Sequence, residues 1–224
     1  MKTIYLDVER PPPDVMARFR ALLTNYGPAC LVCDAQGREN VLVGPYRPVA
    51  PSKATGSALT IQLDPDDLVD CMPVLRKAEP GDFIVVASNG TLATAMWGGM
   101  MSTICKQIGI AGALVDGAIR DVDEIRDLGF PVWSRGVVPR ASPTSVHGRF
   151  EPVQVNCPVV VGGLMIAPGD IVVADESGIS LVPKSRALEV VARAEAQARK
   201  EDEIRDKVKG GVTVADILAS YGHV

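Results

Sequence analysis

Helix-patterned and strand-patterned segments alternate along this chain without a long linker, and that alternation predicts a single α/β domain. Two further observations agree. Apolar runs bounded by turn residues, such as Phe83-Ile-Val-Val-Ala-Ser88 and Ile171-Val-Val-Ala, read as buried strands. A hydrophobic share of 47% over 224 residues can bury a substantial core. Residues 1–224 therefore read as one unit, with a helical extension from about 184.

Pro11 to Pro13 lead into a helix, Asp14 to Asn25, whose Val15, Phe19, Leu22 and Leu23 share a face. Tyr26-Gly27-Pro28 stops it. Ala29-Cys-Leu-Val-Cys33 reads as an apolar core segment. It contains a Cys-x-x-Cys match, but a zinc site or a redox motif wants a second pair, histidines or a helix start behind the first cysteine. There is no second pair, and the two histidines are His147 and His223. A loop rich in glycine and proline spans Gly37 to Thr55. Ser57 to Leu63 alternates as a strand, and Leu68 to Lys77 reads as a short helix closed by Glu79-Pro80-Gly81-Asp82. Trp97-Gly98-Gly99 opens a helix through Gln107. Ala113 to Val115 is a buried strand ending at Asp116-Gly117. Asp123 to Leu128 is a short helix, and Pro131 to Ser134 a strand.

The later part is strand-rich: Pro152 to Asn156, Val159 to Val161, Leu164 to Ile166 and Ile171 to Ala174, with turns at Pro168-Gly169-Asp170 and Glu176-Ser-Gly178. Pro80-Gly-Asp-Phe-Ile-Val-Val-Ala and Pro168-Gly-Asp-Ile-Val-Val-Ala nearly duplicate each other, as two uses of one turn that feeds a buried strand. Residues 184 to 208 form a long helix of alternating charge, a pattern of solvated faces and of subunit contacts.

Composition narrows the function. A net charge of −4 argues against a nucleic-acid surface, since phosphate binding needs a basic face. No apolar run reaches membrane-spanning length, and the N-terminus becomes charged too soon for a signal peptide. Five scattered cysteines suit a reducing cytoplasm.

The chemistry concentrates where the strand before Arg120 runs out. Arginine grips a carboxylate through two parallel hydrogen bonds, and aspartate is a hard oxygen ligand for magnesium or manganese. Arg120-Asp121 could therefore hold an anionic substrate and an activating cation; the pair also reads as a surface ion pair. Gly98-Gly99 opens a helix whose free amides, those of Met100 and Met101, could cradle a carboxylate; two glycines equally read as a tight turn.

Trp97-Gly-Gly-Met-Met-Ser, Gly109-Ile-Ala-Gly-Ala-Leu-Val-Asp-Gly-Ala-Ile-Arg-Asp-Val-Asp-Glu-Ile and Gly129-Phe-Pro-Val-Trp-Ser occur in this order. They are followed by Val155-Asn-Cys-Pro-Val, Val161-Gly-Gly and Pro168-Gly-Asp-Ile-Val-Val-Ala-Asp-Glu-Ser-Gly. This ordered set resembles the family that unites the class II 4-hydroxy-4-methyl-2-oxoglutarate/4-carboxy-4-hydroxy-2-oxoadipate aldolases with the regulator of ribonuclease activity A. The match is good over about 80 to 210 and looser before.

The resemblance implies an α-β-β-α sandwich around a small barrel-like sheet, assembled as a homotrimer or homohexamer with a site between subunits. It implies a Mg2+- or Mn2+-dependent lyase of aromatic catabolism that cleaves a 4-hydroxy-2-oxo acid to pyruvate and a second oxo acid, and that decarboxylates oxaloacetate. It assigns the oxo acid to Arg120 with Gly98, Gly99, Met100 and Met101, and the metal to Asp121. Asp116, nearby in sequence, could support that site from behind or simply shape the turn. Asp34 and Glu201 match places where the family brings acids from a neighbouring subunit; they read equally well as a turn or helix cap and a solvated helix charge. The family's active aldolases usually carry an acid 21 positions before the arginine, where this chain has Gly99. The same resemblance also includes a non-catalytic regulator that binds a protein partner, and related metal-dependent enzymes acting on another small carboxylic acid.

Overall fold

The computed structural model describes residues 3–64, 71–141 and 153–221. Four parallel strands form its centre: β3 (Ala54–Gln62), β4 (Asp82–Ala95), β5 (Gly112–Ile119) and β6 (Val132–Val137), hydrogen-bonded in that order. Parallel neighbours need crossover connections, and these are supplied by a 3-10 helix (Met72–Lys77), by α3 (Gly99–Gln107) and by α4 (Val122–Leu128). Beyond β6 lies the short antiparallel β2 (Arg47–Pro48).

The other edge of β3 is shared. Its first half pairs antiparallel with β10 (Ile171–Asp175), which pairs with β11 (Gly178–Val182). Its last residues pair antiparallel with β7 (Gln154–Val155), which pairs with β1 (Ile4–Tyr5). A separate hairpin joins β8 (Val159–Val161) and β9 (Leu164–Ile166).

Side-chain alternation shows how this sheet is layered. Phe83, Val85, Leu114 and Trp133 share one buried cluster with Val172, Ala174, Ile179 and Leu181. The sheet is thus curled so that its β10–β11 limb faces β4–β6 across an inner core. The opposite faces carry the helices. Ile84, Val86, Ala113 and Val132 meet Met101, Cys105 and Ile125 of α3 and α4. Ile171, Val173 and Val182 meet α1 (Pro13–Leu22), α2 (Pro28–Ala35) and α5 (Ala187–Lys209). The result is the expected α-β-β-α order around a barrel-like sheet. Such strands are buried on both faces, as expected for a parallel sheet sheathed by helices. A last helix, α6 (Val214–Tyr221), leaves Val214 and Leu218 exposed. Among the described residues no helix is long and apolar enough to cross a membrane.

Several expectations need correction. The first helix ends at Leu22, because Thr24 and Asn25 turn back onto the carbonyls of Ala21 and Leu22 through both backbone and side chain. Ala29 to Cys33 is helix rather than an apolar core run: Ala29, Leu31, Val32 and Ala35 are buried, while Cys30 is exposed and Cys33 half-buried on the other face. The 57–63 strand begins at Ala54 and does not alternate, because each of its faces meets a core. The strand before Arg120 does not stop at Asp116-Gly117; it runs through to Ile119 with Asp116 buried inside it.

Of the expected helix Leu68 to Lys77, positions 68–70 lie outside the described residues, and Met72–Lys77 is a 3-10 helix. Pro152, His147 and His223 also lie outside them. The long C-terminal helix carries a buried stripe, Val190, Val191, Ala194 and Ala198, beneath its charges. Strand β11 and helix α6 had no counterpart among the elements expected from sequence. The duplicated turns are structurally alike: Asp82 and Asp170 each accept the amide three residues back, from Glu79 at 2.8 Å and Ala167 at 2.9 Å.

Candidate functional site

The 96–99 segment is tied to the end of β5 by two backbone bonds, Met96 N–H to Ala118 at 2.8 Å and Arg120 N–H to the Trp97 carbonyl at 3.0 Å. Trp97 anchors it. Its ring stacks on Phe130, and its indole N–H donates to Ser102 Oγ at 2.7 Å. A side chain at either of the next two positions would meet a neighbouring carboxylate. A Cβ on Gly98 would lie 2.7 Å from Asp121 Oδ2 and 3.2 Å from Arg120 Cγ. A Cβ on Gly99 would overlap the carboxylate of Glu124.

Asp121 sits at φ 56°, a left-handed conformation that costs most residues strain of roughly 1–3 kcal/mol and that clusters at functional sites. This turn starts α4 and directs the Asp121 carboxylate away from its own helix, toward α3. There Oδ2 accepts the Gly99 amide at 3.1 Å and lies 3.5 Å from Arg120 Nε. A carboxylate at a helix start is favoured by the helix dipole. The amides of Met100 and Met101 remain without an acceptor among the described residues. Glu124, three positions after Asp121, lies on the same face of α4 and accepts from Thr103 Oγ1 at 3.3 Å.

The structure therefore brings together Arg120, Asp121, Gly98, Gly99, Met100 and Met101, and adds Glu124, which sequence reasoning missed. The signal for it was the three-residue spacing from Asp121, which places two acids on one helix face. Its carboxylate fills the space that the absent side chain at Gly99 leaves. A cavity of about 190 Å³ opens here, lined by Met72, Met96, Trp97, Met101, Arg120 and Asp121. Arg120 and Asp121 are partly exposed, with side-chain accessibilities of 45% and 41%, so both reach solvent as well as each other.

Asp116 is elsewhere in its contacts. Its carboxylate accepts the Tyr46 hydroxyl at 2.6 Å and the Gly90 amide at 3.2 Å, and lies 3.4 Å from Arg135. Burial, with the Asp116 hydrogen bond, pushes the Tyr46 hydroxyl well above its ordinary range. Asp116 faces the inner core because its position in β5 has the parity of Leu114. None of its hydrogen-bond or ion-pair partners is a residue of the Arg120 cavity.

Asp34 and Glu201 are brought together, away from Arg120. Both line a larger cavity, about 600 Å³, between α2 and α5. There Asp34 pairs with Arg38 at 3.5 Å and Glu201 with Arg205 at 2.6 Å. Volume favours this groove; the chemistry favours the smaller cavity, where Arg120, Asp121 and the helix amides converge, with Glu124 beside it at Gly99.

Among the described residues no group of three or more His, Cys, Asp or Glu side chains gathers as a metal cage. The donor set at Gly98–Gly99 suits a different coordination. Magnesium keeps several waters and takes one or two carboxylates, and Asp121 and Glu124 flank one glycine pair as hard oxygen donors.

The fold and this site define an α/β protein with a carboxylate-and-arginine pocket between a strand end and a helix start. The chain belongs to the RraA-like family, described as Aldolase/RraA, whose model matches residues 29–181. It is 32% identical over 111 residues to a 4-hydroxy-4-methyl-2-oxoglutarate aldolase of Thermus thermophilus, covering 50% of this chain and 65% of that protein. Streptomyces coelicolor RraAS2, described as an unusual member of the RNase ES inhibitor RraA protein family, is 31% identical. Its structure superposes with a TM-score of 0.74, covering 89% of this chain and 99% of that one. An uncharacterised protein of Pseudomonas syringae superposes with a TM-score of 0.79 at 27% identity, over 96% of this chain and 98% of that one. The family spans aldolases and regulators.

Proposed function

We propose that this chain is a divalent-metal-dependent lyase that cleaves a 4-hydroxy-2-oxo acid to pyruvate and a second oxo acid, with decarboxylation of oxaloacetate as a related activity. The observation that carries the reading is the meeting of Arg120, Asp121 and Glu124 over a glycine pair that leaves them room. A pure binding surface has no need of two hard acids beside an anion-gripping arginine.

In this reading Asp121 and Glu124 hold Mg2+ or Mn2+, which supplies an electrophile that draws electrons from the 2-oxo group. Arg120 binds the substrate carboxylate and offers positive charge where negative charge grows as the carbon–carbon bond breaks. The Met100 and Met101 amides orient the same anion at the start of α3. Buried Met96, Trp97 and Met101 form the wall that excludes water. In this reading the working enzyme is a trimer or hexamer.

The test is pyruvate release from oxaloacetate and from 4-hydroxy-4-methyl-2-oxoglutarate, with magnesium and with EDTA. Metal-dependent release supports the lyase. The likeness to RraAS2 favours a second reading, a non-catalytic regulator that acts through a protein partner, and absence of turnover on either acid with magnesium present would make it the better one.

A further inference from the structure

The paired cysteines of α2 are left unused by the lyase reading. Cys30 and Cys33 lie one helical turn apart on the outward face of α2, Cys30 exposed and Cys33 half-buried. Both border one cavity of about 270 Å³, whose walls include Ala29, Val41 and Ile179 and whose rim carries Arg38 with its ion-pair partner Asp34. We propose that this pair is a thiol–disulfide exchange site for small organic disulfides: Cys30 attacks first, and Cys33 closes the adduct into a Cys30–Cys33 disulfide.

The spacing permits closure. A disulfide spans Cα atoms about 4.4–6.8 Å apart, and side chains three positions apart on a helix have Cβ atoms roughly 5–6 Å apart. A small tightening of one turn closes the remainder. The roles follow from the two environments. Burial, reinforced by the neighbouring Asp34, pushes the Cys33 thiol up, and Cys30 is close enough that its charge adds to that effect. Cys33 is therefore the poorer first nucleophile. Exposed Cys30 is the thiol an incoming disulfide can reach. The apolar cavity wall, formed by Ala29, Val41 and Ile179, accepts the organic part of that disulfide.

The exchange balances. The Cys30 thiolate attacks one sulfur of the small disulfide, and the other sulfur leaves as a thiolate with the bonding pair. The Cys33 thiolate then attacks the Cys30 sulfur and expels the second small thiolate. Two cysteine thiols are oxidised by two electrons, and one small disulfide becomes two thiols. The other cysteines serve as internal controls. Cys71, Cys105 and Cys157 are buried, and burial pushes the Cys105 thiol up to about 12.

The full chain is incubated with oxidised glutathione, quenched in acid, alkylated and read by intact mass and peptide mapping. The wild type should lose two hydrogens, mapped to a Cys30–Cys33 link that dithiothreitol reopens. Cys33→Ser and Cys33→Ala should each retain one glutathione on Cys30. Cys30→Ser should react slower by an order of magnitude or more. Three results overturn the proposal: a wild type that stays fully reduced, a wild type that keeps stable adducts without closing, or a reaction that falls on Cys71, Cys105 or Cys157. The wild-type readout stands whether or not a variant folds, and it uses no turnover, so it is independent of the lyase reading.

Discussion

Replacing Gly99 with alanine should separate function from stability. The new Cβ would overlap the Glu124 carboxylate, which must swing away. That movement is inexpensive to the fold. Glu124 is exposed, and its swing breaks one 3.3 Å hydrogen bond from Thr103, about 0.5 kcal/mol. Against it stands the helix preference of alanine over glycine, at most about 1 kcal/mol. The two nearly cancel, so the melting temperature should stay within about 4 °C of wild type. The metal site should not be spared. Displacing a carboxylate that supports a metal typically lowers affinity or activity about 10–100-fold. Magnesium titration of pyruvate release should therefore shift by that factor in Gly99→Ala and equally in Glu124→Ala, with no further loss in the double variant. Gly99→Asp combined with Glu124→Ala returns an acid to the same space and should recover most of the loss. Wild-type magnesium dependence in both Gly99→Ala and Glu124→Ala would refute the role given to Glu124.

Arg120→Lys keeps the charge but loses the two-pronged grip, so kcat should fall about a hundredfold or more, the equivalent of roughly 2–4 kcal/mol, with a smaller change in KM; steady-state kinetics decides, and wild-type turnover would make Arg120 structural. Tyr46→Phe removes the 2.6 Å hydrogen bond to buried Asp116. It should cost about 1.5–3 kcal/mol in denaturant unfolding and leave the kinetic constants of the folded protein unchanged; a kinetic defect without lost stability would return Asp116 to the site. The Glu195 carboxyl is held below its ordinary value of 4.5 chiefly by a hydrogen bond from Arg18. The stability from this pair is fully present above pH 4.5 and is lost as pH falls through the lowered value. The stability gap between wild type and Arg18→Met, under about 1 kcal/mol for so partly exposed a pair, should therefore close in acid titrations; a gap that widens would contradict it.

What the sequence determined by itself was local. Helix α3 after Gly98-Gly99, helix α4, the strands around Phe83, Val132 and Ile171, and the pairing of Arg120 with Asp121 are written in short apolar runs, turn residues and adjacency. Each depends on neighbours within a few positions. The mirrored turns at Asp82 and Asp170 were legible for the same reason, since each carboxylate meets an amide three residues back.

The tertiary structure decided everything that depends on which face meets what. Strand β3 does not alternate as expected because two cores cover it. Asp116 became a core residue because β5 continues past it, and strand parity points it at Tyr46. Cys30 and Cys33 turned outward because α2 buries its other side against β10 and β11. Glu124 joined the site because α3 and α4 pack side by side, and a missing Cβ leaves room that only the folded chain can fill. A sequence records what each residue is and what stands near it along the chain. Which carboxylate fills the gap left at Gly99 is a matter of packing between segments, and packing is settled only when the chain has folded.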